Sequence, residues 1–144
     1  MIADLIARLE TIPSLVRRVQ GALELTEMLG RKALPQATPF AFVIPAGLVA
    51  KGQGDAAANA FTQPIDRLVS VVLMVRTAGD VSGVRTQPKL DELVEAVVAK
   101  ACGFEPEDAI GVFRLTRGRV VEFSAGNAFY QLDFAIQDQI RVLS

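Results

Sequence analysis

Tyr130–Val142 reads YQLDFAIQDQIRV. Its even positions, Tyr130, Leu132, Phe134, Ile136, Asp138, Ile140 and Val142, are apolar except at Asp138. Its odd positions, Gln131, Asp133, Ala135, Gln137, Gln139 and Arg141, are polar except at Ala135. Successive side chains of a strand point to opposite faces, so this stretch predicts one long antiparallel strand with one face covered. Leu68–Val75 (LVSVVLMV) is apolar on both faces apart from Ser70. A central strand covered on both sides reads that way. Pro64 lies at the start of this run, where a missing ladder donor does least harm.

Around these two strands the chain supplies helices. Ile2, Leu5, Ile6 and Leu9 fall at helical spacing, with Asp4, Arg8 and Glu10 opposite and Pro13 as the stop. Leu15–Gln20 is β-compatible. Ala22, Leu25, Met28 and Leu29 share one face of a second helix ending at Gly30, with Arg31 and Lys32 near its negative pole. Leu90, Leu93, Val94, Val97, Val98 and Ala101 stripe a third helix that starts at Thr86-Gln87-Pro88 and stops at Gly103. Phe40–Ile44 reads as a strand, and Ala46–Ala60 (AGLVAKGQGDAAANA) as a mobile loop. Thr77–Arg85 reads as a loop, Arg117-Gly118-Arg119 as a hairpin turn between Phe113–Thr116 and Val120–Phe123, and Gly126-Asn127 as a second turn. The expected order is α-β-α-β-β-α-β-β-β. This is an α+β domain over residues 1–144, with a largely antiparallel or mixed sheet of about five strands and helices packed on one face.

Composition narrows the chemistry. The 144 residues carry 15 Lys+Arg and 16 Asp+Glu, no His, no Trp and one Cys. Without His the chain cannot form a Ser-His-Asp or Cys-His triad or a His-Glu-x-x-His zinc site. Cys102 alone makes neither an internal disulfide nor a cysteine metal cluster, and its place on an apolar helix face predicts burial. A net charge of −1 speaks against an electrostatic nucleic-acid binder. The amino terminus, with Asp4, Arg8 and Glu10, does not read as a signal peptide, and the longest charge-free stretch, Ala33–Ala50, is broken by three prolines and Gly47. The expectation is a soluble cytoplasmic protein without a membrane segment, enzyme activity, metal or cofactor. A 51% apolar share with a mean hydropathy of +0.34 is high for a chain that works alone.

The candidate sites are surfaces. Lys51-Gly52-Gln53-Gly54-Asp55 lacks the spacing of a phosphate cradle and reads as a flexible loop, or as one that orders on a partner. Arg114, Arg117 and Arg119 form a basic cluster, either solvated edge charges or a patch for an acidic surface on another subunit. Glu105, Glu107 and Asp108 suit a turn. Asp138 lies beyond the covering layer or pairs with an arginine, or else this end of the strand faces a neighbouring subunit.

The order of features resembles the tail terminator proteins of long-tailed bacteriophages and phage-like particles. The resemblance runs from the opening helix and VRRVQGALEL through PFAFVIPAG, FTQPIDRLVSVVLMVRT, LDELVEAVV and FRLTRGRVVEF to AFYQLDFAIQDQIRV. It implies a ring of six copies on the head-proximal end of the tail tube that stops tube growth and offers a surface to head or neck proteins. The implied partners are further copies of the chain, the tail tube protein and a head–tail connector or neck protein, with no membrane and no sequence-specific nucleic acid. On that reading Lys51–Asp55 meets a partner and Arg117–Arg119 lies on a ring surface. Two other classes fit the sequence: another head–tail joining or tail-completion protein, and a ferredoxin-like ligand-binding regulatory domain. The latter needs a pocket with converging polar groups.

Overall fold

The computed structural model describes residues 1–30, 38–76, 84–124 and 127–143. In chain order the elements are α1 (Ile2–Leu9), a 3-10 turn (Pro13–Leu15), β1 (Val19–Gly21), α2 (Ala22–Gly30), β2 (Phe40–Ala50), β3 (Asp55–Ala57), β4 (Ala60–Arg76), α3 (Thr86–Ala101), β5 (Phe113–Ser124) and β6 (Asn127–Leu143). The fold is α+β. Its sheet runs β1-β2-β4-β6-β5, with β3 pairing β4; among the described residues only β1–β2 is parallel.

β4 and β6 form the spine, paired without a break from Ala60↔Leu143 to Arg76↔Asn127. The alternation in both strands explains the layering. Val69, Val71, Leu73 and Val75 of β4 and Leu132, Phe134 and Ile136 of β6 enter one core with Leu5 and Leu9 of α1 and Leu90, Leu93, Val97 and Ala101 of α3. Fully burying such a side chain stabilises by roughly 1.5–3 kcal/mol, so this layer anchors the fold. The opposite parity of β4 supplies Val72 and Met74 to a smaller cluster with Phe40 and Phe42, capped by Leu25 and Met28 of α2. The two-sided apolarity of Leu68–Val75 thus has two coverings. The expectation of helices on one face holds for α1 and α3, whereas α2 sits on the other face at one corner.

Three local expectations are corrected. Ala46–Ala60 is not a loop throughout. β2 continues through Pro45 to Ala50 across a register shift between Pro45 and Gly47; an irregularity of this kind tolerates proline and a left-handed glycine, and Gly47 has φ 129°. β3 then pairs with the start of β4. The connection is Ala58-Asn59, both at positive φ (51° and 65°), as a two-residue hairpin turn of type I′ requires.

Arg117-Gly118-Arg119 is not a turn either. β5 is one strand along β6, with register shifts between Leu115 and Arg117 and between Val120 and Glu122 that absorb the residues which broke the sequence pattern. Gly118 is there for close approach: a Cβ would lie 3.0 Å from the Tyr130 hydroxyl and 3.1 Å from Leu132. Cys102, finally, is exposed, because α3 ends at Ala101 and its last inward position is already filled. The expected roles of Arg31 and Lys32, the Thr77–Gly83 part of the loop, the Gly126 turn and the side chain of Leu29 lie outside the described residues.

Candidate assembly surface

Asp66 and Arg67 are adjacent on β4, so their side chains leave on opposite faces of the sheet. Each therefore needs its own partner, and each has one. On the face away from α1 and α3, Asp66 is buried and binds Arg114, which reaches over β6 from β5. Lys51 Nζ approaches the same carboxylate at 3.4 Å. On the α1/α3 face Arg67 pairs with Asp138.

The first cluster joins three separate segments: the end of β2, mid-β4 and the start of β5. Burial pushes the Asp66 carboxyl up, but the hydrogen bond and charge of Arg114, and then those of Lys51, outweigh it and hold the group below the ordinary carboxylate value. Asp133 follows the same logic. Burial raises it, while hydrogen bonds from Gln131 and Ser70 and the charges of Arg119 and Arg117 bring it below the ordinary value. The Ser70 hydroxyl donates to Asp133 at 2.7 Å and Gln131 Nε2 donates at 2.9 Å. Arg117 lies opposite Asp133 and Arg119 opposite Gln131 in the β5–β6 register. The basic cluster expected from sequence is thus one row of exposed guanidinium groups along an edge strand, with sunken carboxylates beneath it.

The Lys51–Asp55 segment is a short loop fastened to β4. Lys51 N donates to the Pro64 carbonyl at 3.0 Å and Gln63 Nε2 donates to the Gly52 carbonyl at 2.9 Å. Gln53 is exposed. Gly54 has φ 70°, and a Cβ there would fall 2.5 Å from the Phe61 ring. Asp55 opens β3 opposite Thr62. Gly54→Ala is expected to strain this corner by about 1–2 kcal/mol, enough to speed amide exchange of Asp55–Ala57 by roughly 5–30-fold. Hydrogen exchange read residue by residue checks it, with the β4–β6 core amides as the unchanged reference.

Of the sequence candidates, the structure brings Lys51 and Arg114 together on Asp66, sets Arg117 and Arg119 beside Asp133, and pairs Asp138 with an arginine, one of the readings open for it. Gly52, Gln53, Gly54 and Asp55 stay at the far end of the sheet, away from the arginine row. Asp66, Arg67, Ser70 and Asp133 were missed as site residues. For Asp66 and Arg67 the signal was available: two consecutive opposite charges inside an apolar strand demand a partner on each face. In the turn after α3, Asp108 binds the amino terminus at 3.3 Å. Where α1 ends its cover of the sheet, Met1, Ile2, Pro45, Leu48, Arg67 and Asp138 line a groove of about 480 Å³.

Among the described residues no group of three or more His, Cys, Asp or Glu is placed to hold a metal ion, and no helix is long and apolar enough to cross a membrane. An α+β subunit with an exposed, charge-lined sheet has the character of an assembly part. The family model described as phage tail terminator protein matches residues 2–142, and the chain belongs to that family. Membership makes it a structural component of phage-type tails. Among solved structures it is similar in fold to a chain of the virion of a native gene transfer agent particle, with a TM-score of 0.53. That match has 15% identity and covers 97% of this chain and 95% of that one. No curated protein matches it in sequence.

Proposed function

We propose that the chain closes the head-proximal end of the tail tube as a ring of six copies, stops tube growth there and presents the surface on which the head or neck is joined. The family match along nearly the whole chain carries this reading. The role is one of surfaces rather than catalysis. The chain lacks His, and its perturbed carboxylates are each engaged in structural pairs. One ring face accepts the last layer of tube protein and the other refuses a further one, so the two faces must differ. The Lys51–Asp55 loop, at the end of the sheet that α1 and α3 leave bare, meets the tube or neck protein, and the row Arg114, Arg117 and Arg119 lies on a ring surface. The subunit is made in the host bacterial cytoplasm and ends in the virion.

Electron microscopy of particles produced without the gene tests the role. Overlong tubes, with a length distribution several-fold broader than wild type, are expected. Tails of normal length without heads would make it a joining protein instead. Replacing residues 51–55 by a neutral linker of equal length is expected to reduce the yield of joined particles; an unchanged yield and tail length would remove that loop from the contact.

A further inference from the structure

The sheet face away from α1 and α3 carries the same arrangement twice: a sunken carboxylate with two exposed cations around it. Asp66 is buried, and Arg114 and Lys51 share its Oδ2 oxygen while staying about half exposed. Asp133 is half-buried and accepts its hydrogen bonds from Ser70 and Gln131, with Arg117 opposite it and Arg119 opposite Gln131. Arg117 and Arg119 are exposed, and among the described residues neither forms a direct ion pair. Each cluster thus sets two positive charges against one negative and is one anion short of balance.

The strand that supplies three of the four cations is bent to do so. In a regular strand Arg114 and Arg117, three residues apart, would leave on opposite faces. The register shift between Leu115 and Arg117 gives β5 one extra residue, Thr116, and returns Arg117 to the face of Arg114. Irregularities of this kind re-aim side chains. Ala135, the small residue opposite Arg114, leaves room for that side chain to cross β6 to Asp66.

The spacing of the two clusters is fixed by the ladder. Asp133 stands opposite Ser70, four residues along β4 from Asp66. At ~3.3 Å per residue and ~4.8 Å per strand the two carboxylates are roughly 14 Å apart. Four residues of extended chain span about 13 Å, so one segment laid along the strands reaches both. Gln131, Gln137 and Gln139 belong to the same face, and their carboxamides both donate and accept hydrogen bonds. A peptide does the same, whereas a phosphate backbone only accepts. The chain's net charge of −1 also exerts no long-range pull on nucleic acid.

We propose that this face binds an acidic segment of another protein, whose carboxylates settle on the Lys51–Arg114 and Arg117–Arg119 pairs. The register shifts that interrupt β5 make the contact one of side chains on the sheet face rather than an added strand at its edge. The inference deepens the proposed function by naming the chemistry of a partner, and rests on that reading for the setting in which the partner is met.

A fluorescein-labelled peptide of about twelve glutamates, long enough to span both clusters, is the probe, read by anisotropy against the full chain. Binding is expected at low salt and should weaken steeply between about 0.01 and 0.15 M, as the Debye length falls from ~30 to ~8 Å. Arg117→Gln with Arg119→Gln should weaken it roughly 2–30-fold, the range for losing two exposed ion pairs. Arg17→Gln with Lys89→Gln removes the same charge elsewhere and should leave binding unchanged. All four residues are exposed, and far-UV circular dichroism matching wild type confirms the fold of each variant. Equal losses from the two pairs of substitutions would show attraction to net charge alone and overturn the inference, as would no binding at low salt. Single-stranded DNA of matched charge should bind more weakly than the peptide. Tighter binding of the DNA, lost with Arg117 and Arg119, would make the face a nucleic-acid surface instead. Light scattering without peptide should give wild type and Arg117→Gln/Arg119→Gln the same mass. A smaller mass for the variant would assign the row to contact between copies and overturn the inference. None of these readouts involves tail length, so their failure leaves the terminator role to be decided by the tail-length phenotype.

Discussion

Phe134→Ala is expected to destabilise the protein by about 3–5 kcal/mol, the usual cost of emptying a large aromatic site in a close-packed core. Phe134 is fully buried at the centre of β6. It stands opposite Val69 on one neighbouring strand and Leu115 on the other, in the layer closed by α1 and α3. Strands bonded on both sides cannot move in to fill the space, which places the cost toward the upper end of the range. Urea unfolding at fixed protein concentration should show a midpoint lower by about 2 M. Leu143→Ala is the contrast. That residue is 72% exposed at the end of the same strand, and its replacement should stay within about 0.5 kcal/mol when the subunit is monomeric. Equal effects from the two substitutions would mean that the core does not sit where the layering places it.

Asp66→Ala is expected to cost about 1–3 kcal/mol at neutral pH, the range for losing a buried hydrogen-bonding partner. A fully buried ion pair would cost more, but Arg114 and Lys51 are about half exposed and can return to water when the carboxylate is removed. The larger signature lies in acid. The folded-state pKa of Asp66 is below its ordinary value. Its contribution is therefore complete above the unfolded pKa of about 3.9 and fades as the pH falls through the folded value. Asp133 shares the direction. Wild type should lose stability as the pH is lowered from about 5 toward 2, and Asp66→Ala should lose distinctly less over the same interval. Thermal melts across that series decide the matter: parallel curves for the two proteins would show that Asp66 does not carry the acid sensitivity.

The spine of the fold was legible because period-2 alternation survives wherever one face is buried. YQLDFAIQDQIRV and LVSVVLMV gave the two strands that became β6 and β4. The stripe from Leu90 to Ala101 gave α3. The misreadings fell where tertiary pairing overrides local signals. AGLVAKGQGDAAANA holds glycine and alanine because its outer strands have little to pack against, yet the ladder to β4 makes it β-structure. Gly118 was read as a turn residue when the demand was space beside Tyr130 and Leu132. Of the site, the arginine row and Asp138 were visible as charges out of pattern. Which acidic group each arginine meets was not, since Arg114 and Asp66 are 48 residues apart and only the strand order brings them together.

Unbroken pairing of β4 with β6 over 17 residues makes the orientation of the bare end an inherited quantity. A slip of one residue in that ladder would turn every side chain to the other face. It would drive Asp133 and Ala135 into the layer now held by Leu132 and Phe134. The interior forbids that, and no irregularity interrupts the ladder to let the far end slip separately. The side on which Phe61 and Val142 look outward is therefore settled by packing some eight residues away. The protein presents its contacts at a fixed azimuth, as a key's teeth are set by its shank.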